Sequence, residues 1–380
     1  MNVIIRIEVV NLRKTLLVLM VLMKVLFLVS CNQESEELLD EEDDIVLVEQ
    51  TKTLNYLDLW EVRNVDETKG LKLNDLGIVL DDKDNLVRYE SNEIPISEFS
   101  ELVLSWNVKN LNDSQLVFFI SVGNENGFSK FHAMGSFKED QNRSISAEAD
   151  EYASVNIDTL INKDEKNNLF KLRVNITPNS NENLILENIT VTTKPLNNNL
   201  VYDESLLINH LIDVDPLQQL SIPNIGNLIC SPTSVTMVLN YYGYNFKQEE
   251  MAQKVYDYGR RIYGNWTFNA SYAGSLESIY SRVEFIDDFN KVVNYIKNDV
   301  PVIFSITTTS LSDLEGSIMA FPAGHLIVLI GFEQINGVWY GIFNDPAEYE
   351  DNKVMRKYKM EQVLNVWKQY TYIISDEDIF

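Results

Sequence analysis

Between Ile45 and Pro195 the chain alternates apolar and polar residues with period two, or runs apolar for a few residues, and breaks at clusters of Asn, Asp, Gly and Ser. ELVLSWNV, LVFFISV, FSKFHAMGSF, YASVNIDTL, LFKLRVNI and LILENITVTT carry the pattern most clearly, separated by loops such as NENG and NKDEKNN. A period of two puts successive side chains on opposite faces of a strand, and short strands at this spacing favour an antiparallel β-sandwich. No ladder of acids, histidines or glycines in this half has a catalytic pattern. Trp106, Phe128, Phe131 and Phe137 are expected in the core, a ligand groove being their other use.

Beyond LNNNL, near Leu196 to Leu200, the composition changes. SPTSVTMVLNYYG places Val235, Val238 and Leu239 at helical spacing and Gly243 as the stop. KQEEMAQKVYDYGRRIYG reads as a second helix and DDFNKVVNYIKNDV as a third. Pro301 then opens the buried-strand signal PVIFSI, and HLIVLIGF, VWYGIFNDP and YTYIIS follow as strands. Helices first and a run of strands afterwards predict an α+β domain. The expected organisation is a sandwich over 45–198 and an α+β domain over 199–380.

The N-terminus reads as a targeting segment. Arg13 and Lys14 precede an apolar run that ends at Cys31, and Lys24 leaves that run short for a membrane span. Translation from Met20 or Met23 would give a compact leader. Leu28-Val29-Ser30-Cys31 resembles the lipobox of bacterial lipoproteins, in which the cysteine is lipidated and becomes the new N-terminus. Residues 1–31 are then a signal peptide, and the acidic stretch 32–44 a tether on a lipid-anchored, extracytoplasmic protein. A plain cysteine at the end of a membrane span is the other reading. The formal net charge of −26 argues against a nucleic-acid partner, since phosphate binding relies on Lys and Arg.

If Cys31 carries lipid, the remaining cysteine, Cys230, has no partner for an intramolecular disulfide. The three histidines show no ligand spacing, so neither a structural metal nor a bound cofactor is implied. Cys230 stands two residues before Pro232, which favours a helix's first turn. The helix dipole and free N–H groups there stabilise a thiolate, the attacking species. A cysteine at a helix start is by default a core residue, so a base must accompany it. His325, after Gly324, opens the strand HLIVLIGF, and Asp345 ends the next strand in NDPA. A short hairpin between the two would set Asp345 beside His325, where an acceptor fixes the tautomer and supports the imidazolium.

A cysteine at a helix start followed by His and Asp on adjacent strands resembles the papain clan of cysteine peptidases. CSPTSVTMVLNYYG, GNWTFNASYAG, GHLIVLIGF, NDPA and YKMEQVLNVW together resemble family thirty-nine, the double-glycine bacteriocin-processing type, in its stand-alone branch. SWNV, FHAMGSF and VNIDTL are similar to the β-sandwich that precedes the peptidase domain in such proteins. The resemblance implies a papain-like fold with Cys230 as nucleophile, His325 as base and acid, and Asp345 as orienting acid. It also implies a glutamine upstream of the cysteine as oxyanion donor. Gln219 stands at that place with Gln218 beside it, the serine before it is absent, and Asn224 and Asn227 lie closer to the cysteine.

The implied activity is a cysteine peptidase or related amide hydrolase acting on a peptide or protein. Two rivals remain: a surface binding protein that works through its sandwich, and an acyltransferase in which an amine outcompetes water at the thioester. Substrate specificity and oligomeric state are not encoded legibly.

Overall fold

The strand Leu169–Thr177 shows why the first half folds as it does. Phe170, Leu172, Val174 and Ile176 turn inward, while the residues between them are partly exposed. The computed structural model describes residues 50–81, 87–145, 149–179 and 183–379, so the leader, Cys31 and the acidic tether lie outside the described residues.

Two antiparallel sheets form the first half. One has seven strands among the described residues, centred on Phe99–Lys109 and Ile185–Pro195. The other has six, centred on Gln115–Asn124 and Leu169–Thr177. They face each other across one core, where the rings of Trp106 and Phe118 stack with centroids 3.7 Å apart. This is the expected sandwich. Trp106 and Phe137 are buried in it. Phe128 and Phe131 instead lie half-exposed beneath the cations of Lys171 and Arg173.

The second half is built on a seven-stranded antiparallel sheet. Its order runs Tyr280–Phe285, Trp367–Ser375, Val302–Ile306, His325–Ile335, Val338–Asn344 and Met355–Lys359, with His210–Leu211 added beside His325–Ile335. Helix Cys230–Tyr241 packs against His325–Ile335 and is buried from Ser231 through Leu239. That helix is wrapped on all sides, a wider burial than the Val235, Val238, Leu239 stripe alone would require. Its small hydroxyls make this tolerable: Ser231 bonds Tyr372, Ser234 donates to the Leu326 carbonyl, and Thr236 donates to the Pro232 carbonyl.

Two local expectations change. The second helix stops at Val255, because Asp257 draws the following chain into a tight turn: its Oδ1 accepts the N–H groups of Gly259 and Arg260. The stretch GNWTFNASYAG contains a further helix, Trp266–Ala273, capped by Asn265 accepting the Phe268 N–H.

The described residues from Gln50 onward make one compact unit. Strand Phe99–Lys109 of the sandwich lies against helix Trp266–Ala273 and strand Tyr280–Phe285, and the seam is hydrogen-bonded. Asn107 pairs with both backbone groups of Ser281, Thr192 donates to the Val283 carbonyl, and Thr267 donates to the Leu104 carbonyl. Apolar contacts interlock across it: Phe268 belongs to the sandwich core, and Val103 to the core of the second half.

Candidate active site

Cys230 is the first residue of its helix, with Ile229 before it providing no side-chain cap. The first-turn N–H groups are therefore free to face a thiolate. Cys230 is half-buried, at the wall of a cavity of about 600 Å³. Burial pushes the Cys230 thiol up. The hydrogen bond and charge of His325, with the Leu326 and Ser231 N–H groups, more than offset that and hold it below its ordinary value.

His325 opens its strand directly after Gly324, whose φ of +97° suits glycine. A Cβ at Gly324 would meet only the Ile306 carbonyl, at 3.9 Å, so the requirement there is conformational and not a matter of room. Asn336 and Gly337, at φ of 51° and 82°, close the hairpin to Val338–Asn344, matching the two-residue primed turn. Asp345 follows immediately and accepts from His325 Nε2 at 2.7 Å. A carboxylate only accepts, so Nε2 carries the proton and Nδ1 is the ring nitrogen not engaged by Asp345.

The Asp345 carboxylate is itself held. Its Oδ1 also takes the Ala347 N–H at 3.0 Å, and its Oδ2 takes the Tyr358 hydroxyl at 2.7 Å. Burial alone would raise Asp345, but His325, Tyr358 and the Ala347 N–H keep it below the usual carboxylate range. Burial would likewise lower His325, yet Asp345 and then Cys230 raise it to about 10. Phe321 stacks on the imidazole with centroids 3.8 Å apart, covering its face. Both shifts act in the same direction, favouring thiolate and imidazolium over the neutral pair.

Asp345→Asn tests this charge balance. Without the carboxylate, the imidazolium loses its largest support and the thiolate loses its counter-charge. The acid limb of amide hydrolysis is expected to rise and the alkaline limb to fall from about 10, each by about one pH unit or more. A pH profile of kcat/KM unchanged on both limbs would contradict the assignment.

Of the oxyanion candidates, Gln219 is buried, and its Nε2 donates to the Gly226 carbonyl at 2.5 Å. That carbonyl fixes which end of the amide is nitrogen, and one of the two amide protons stays uncommitted. The Gln219 backbone N–H donates to the Pro346 carbonyl, which pins this segment to the acid turn. Gln218 accepts the Ser221 N–H, and Asn224 is exposed at φ +68°. Asn227 lines the cavity, and Gln219 is not among its lining residues. Among the described residues, no cluster of His, Cys, Asp and Glu could hold a metal.

Sequence reasoning did not single out Tyr358, which bonds Asp345, Phe321, which stacks on His325, or Ser234, which bonds the neighbouring Leu326 carbonyl. It also missed the cavity walls, which include Glu101 and Lys194 of the sandwich together with Arg261, Trp266 and Lys368. These come from segments far apart in the chain with no shared local pattern.

Residues 211–375 match the model of the Peptidase_C39 like family, and over that segment the expected resemblance holds. Two solved structures are similar. One is described as a C39-like peptidase from Bacillus anthracis, 17% identical with a TM-score of 0.33, covering 44% of this chain and 98% of that one. The other is a double glycine motif protease from an AMS/PCAT transporter in complex with the leader peptide, 17% identical with a TM-score of 0.25, covering 44% and 95%. No curated protein matches the chain. The family match supports a peptidase-like function.

Proposed function

We propose that this chain is a surface-anchored cysteine peptidase, or a related amide hydrolase, working through Cys230, His325 and Asp345. One observation carries the reading: Cys230 and His325 line the same cavity, and the His325 imidazole is bonded to the buried Asp345 carboxylate at 2.7 Å. The Cys230 thiolate attacks the amide carbonyl carbon, forming a C–S bond and an oxyanion. The Cys230 N–H and one side-chain amide stabilise that oxyanion, the amide being that of Gln219 or that of Asn227, which lines the cavity. The imidazolium gives its proton to the leaving nitrogen as the C–N bond breaks. Neutral His325 then takes a proton from the water that attacks the thioester carbon; the C–S bond breaks, the acid is released, and the Cys230 thiolate and His325 imidazolium are restored. Lipid on Cys31 would hold the enzyme at a membrane, outside the cytoplasm.

A second reading, a binding protein that has lost catalysis, draws on the commitment of Gln219 to the Gly226 carbonyl. The two separate by mass spectrometry of the protein quenched in acid during incubation with a peptide pool. An acyl adduct on Cys230, absent in Cys230→Ala, is the expected result. No adduct and no cleavage would overturn the enzymatic reading. Transfer of the acyl group to added amine in preference to water would identify an acyltransferase.

A further inference from the structure

The walls of the catalytic cavity carry three cations, Lys194, Arg261 and Lys368, against a single carboxylate, Glu101. Glu101 is already occupied: one oxygen accepts Lys194 Nζ at 3.0 Å and the other accepts the Tyr370 hydroxyl at 3.0 Å. Arg261 and Lys368 are exposed, and neither has a carboxylate partner among the described residues. The cavity is therefore electropositive in a protein whose formal net charge is −26. Unpaired cations at a cavity wall, in a chain so rich in carboxylates that could have paired them, point to a ligand that supplies the negative charge.

The placement of Arg261 strengthens this. It sits at φ +61°, a conformation uncommon for a residue with a side chain. The turn that imposes it is braced by buried Asp257. The Asp257 carbonyl accepts the Arg261 N–H at 2.7 Å, its backbone N–H donates to the Ile262 carbonyl, and its carboxylate takes the Asn265 side chain and the Ser144 N–H of the sandwich. A buried scaffold thus presents one arginine at the lip of the cavity. Arginine's planar fork suits a carboxylate held by two parallel hydrogen bonds.

Resting on the peptidase reading of the same site, we infer that Arg261 and Lys368 form an acidic-side-chain subsite and that the substrate is a peptide carrying Asp or Glu close to the scissile amide. The acidic outer surface does not prevent this. At physiological salt, charges more than about 8 Å from the peptide are largely screened, while those on the cavity wall are not.

The test uses fluorescein-labelled decapeptide pools with four positions restricted to Asp and Glu, to Asn and Gln, or to Lys. Dissociation constants are measured on the Cys230→Ala chain, and cleavage on the unmodified chain. The acidic pool is expected to bind about tenfold more tightly than the amide pool, and the Lys pool most weakly. Arg261→Asn, which tolerates the left-handed turn, combined with Lys368→Gln should bring the acidic pool within about twofold of the amide pool. Equal binding of the pools, a preference that survives the double substitution, or no binding of any pool overturns the subsite. Acidic preference without cleavage keeps the subsite and refutes the peptidase. Cleavage without preference refutes only the subsite.

Discussion

Replacing His325 by alanine is expected to slow amide hydrolysis by on the order of 10⁵–10⁶, about as much as Cys230→Ala, because nucleophile and base act as one unit. The same substitution separates two sources of thiolate stabilisation. In the unmodified protein the helix N-terminus and the imidazolium both act on the sulfur, against its burial. Removing His325 leaves the burial and only the backbone N–H groups to oppose it. The thiol should then titrate above its ordinary range, and alkylation of Cys230 by iodoacetamide at about pH 6 should fall by two orders of magnitude or more, recovering only in alkaline solution. Alkylation that stays fast at that pH in His325→Ala would assign activation to the helix terminus alone. Cys230→Ser is the companion variant. It keeps the shape of the site, but a hydroxyl beside this imidazole is not ionised as the thiol is, so turnover should be lost with the fold intact.

Much of this was legible in the chain because the features involved are local. Period-two runs gave the sandwich strands, Pro232 and Gly243 bracketed the nucleophile helix, and Asn336-Gly337 between two apolar runs marks the hairpin that carries Asp345 to His325. What escaped was either non-local or context-dependent. Tyr358 reaches Asp345 from the neighbouring strand, and nothing around it in sequence distinguishes it from other strand tyrosines. The helical pattern through Tyr256 to Gly264 is cut short by Asp257, whose role depends on being buried beneath its own turn and bonded to Ser144 from the sandwich. The helix at Trp266 has little periodicity to betray it, because both its faces are covered, one by the sandwich and one by the second half. The same effect hides the cavity walls. Their charged residues alternate with core residues on strands, a pattern that reads as an ordinary solvated face until two sheets and a loop bring them together.

A chain cut to residues 199–380 is expected not to fold, even though it contains every member of the triad. The seam explains why. Removing the sandwich would strip the cover from helix Trp266–Ala273, expose Phe268, and uncover one face of strand Tyr280–Phe285. Buried polar groups would go with it. Lys109 Nζ donates to the carbonyls of Gly274, Leu276 and Ile279 at 2.8, 2.6 and 2.7 Å, closing the end of that helix. Lys109→Met in the full-length chain removes these three bonds together with the ion pair to Glu187 at 3.5 Å, because methionine fills the stem's volume and supplies neither donor nor charge. Three carbonyls and the Glu187 carboxylate left unpaired should together cost about 3 kcal/mol or more, read as a lower urea midpoint in a single cooperative transition. The truncated chain should lack such a transition and leave Cys230 no more reactive than a free thiol. Two separate unfolding transitions in the full chain, or a truncated chain whose Cys230 still reacts as fast, would make the sandwich a detachable attachment. The cavity argues for the opposite. Glu101 and Lys194 line it from the sandwich side, so the same strands that complete the fold also complete the cavity wall beside Cys230.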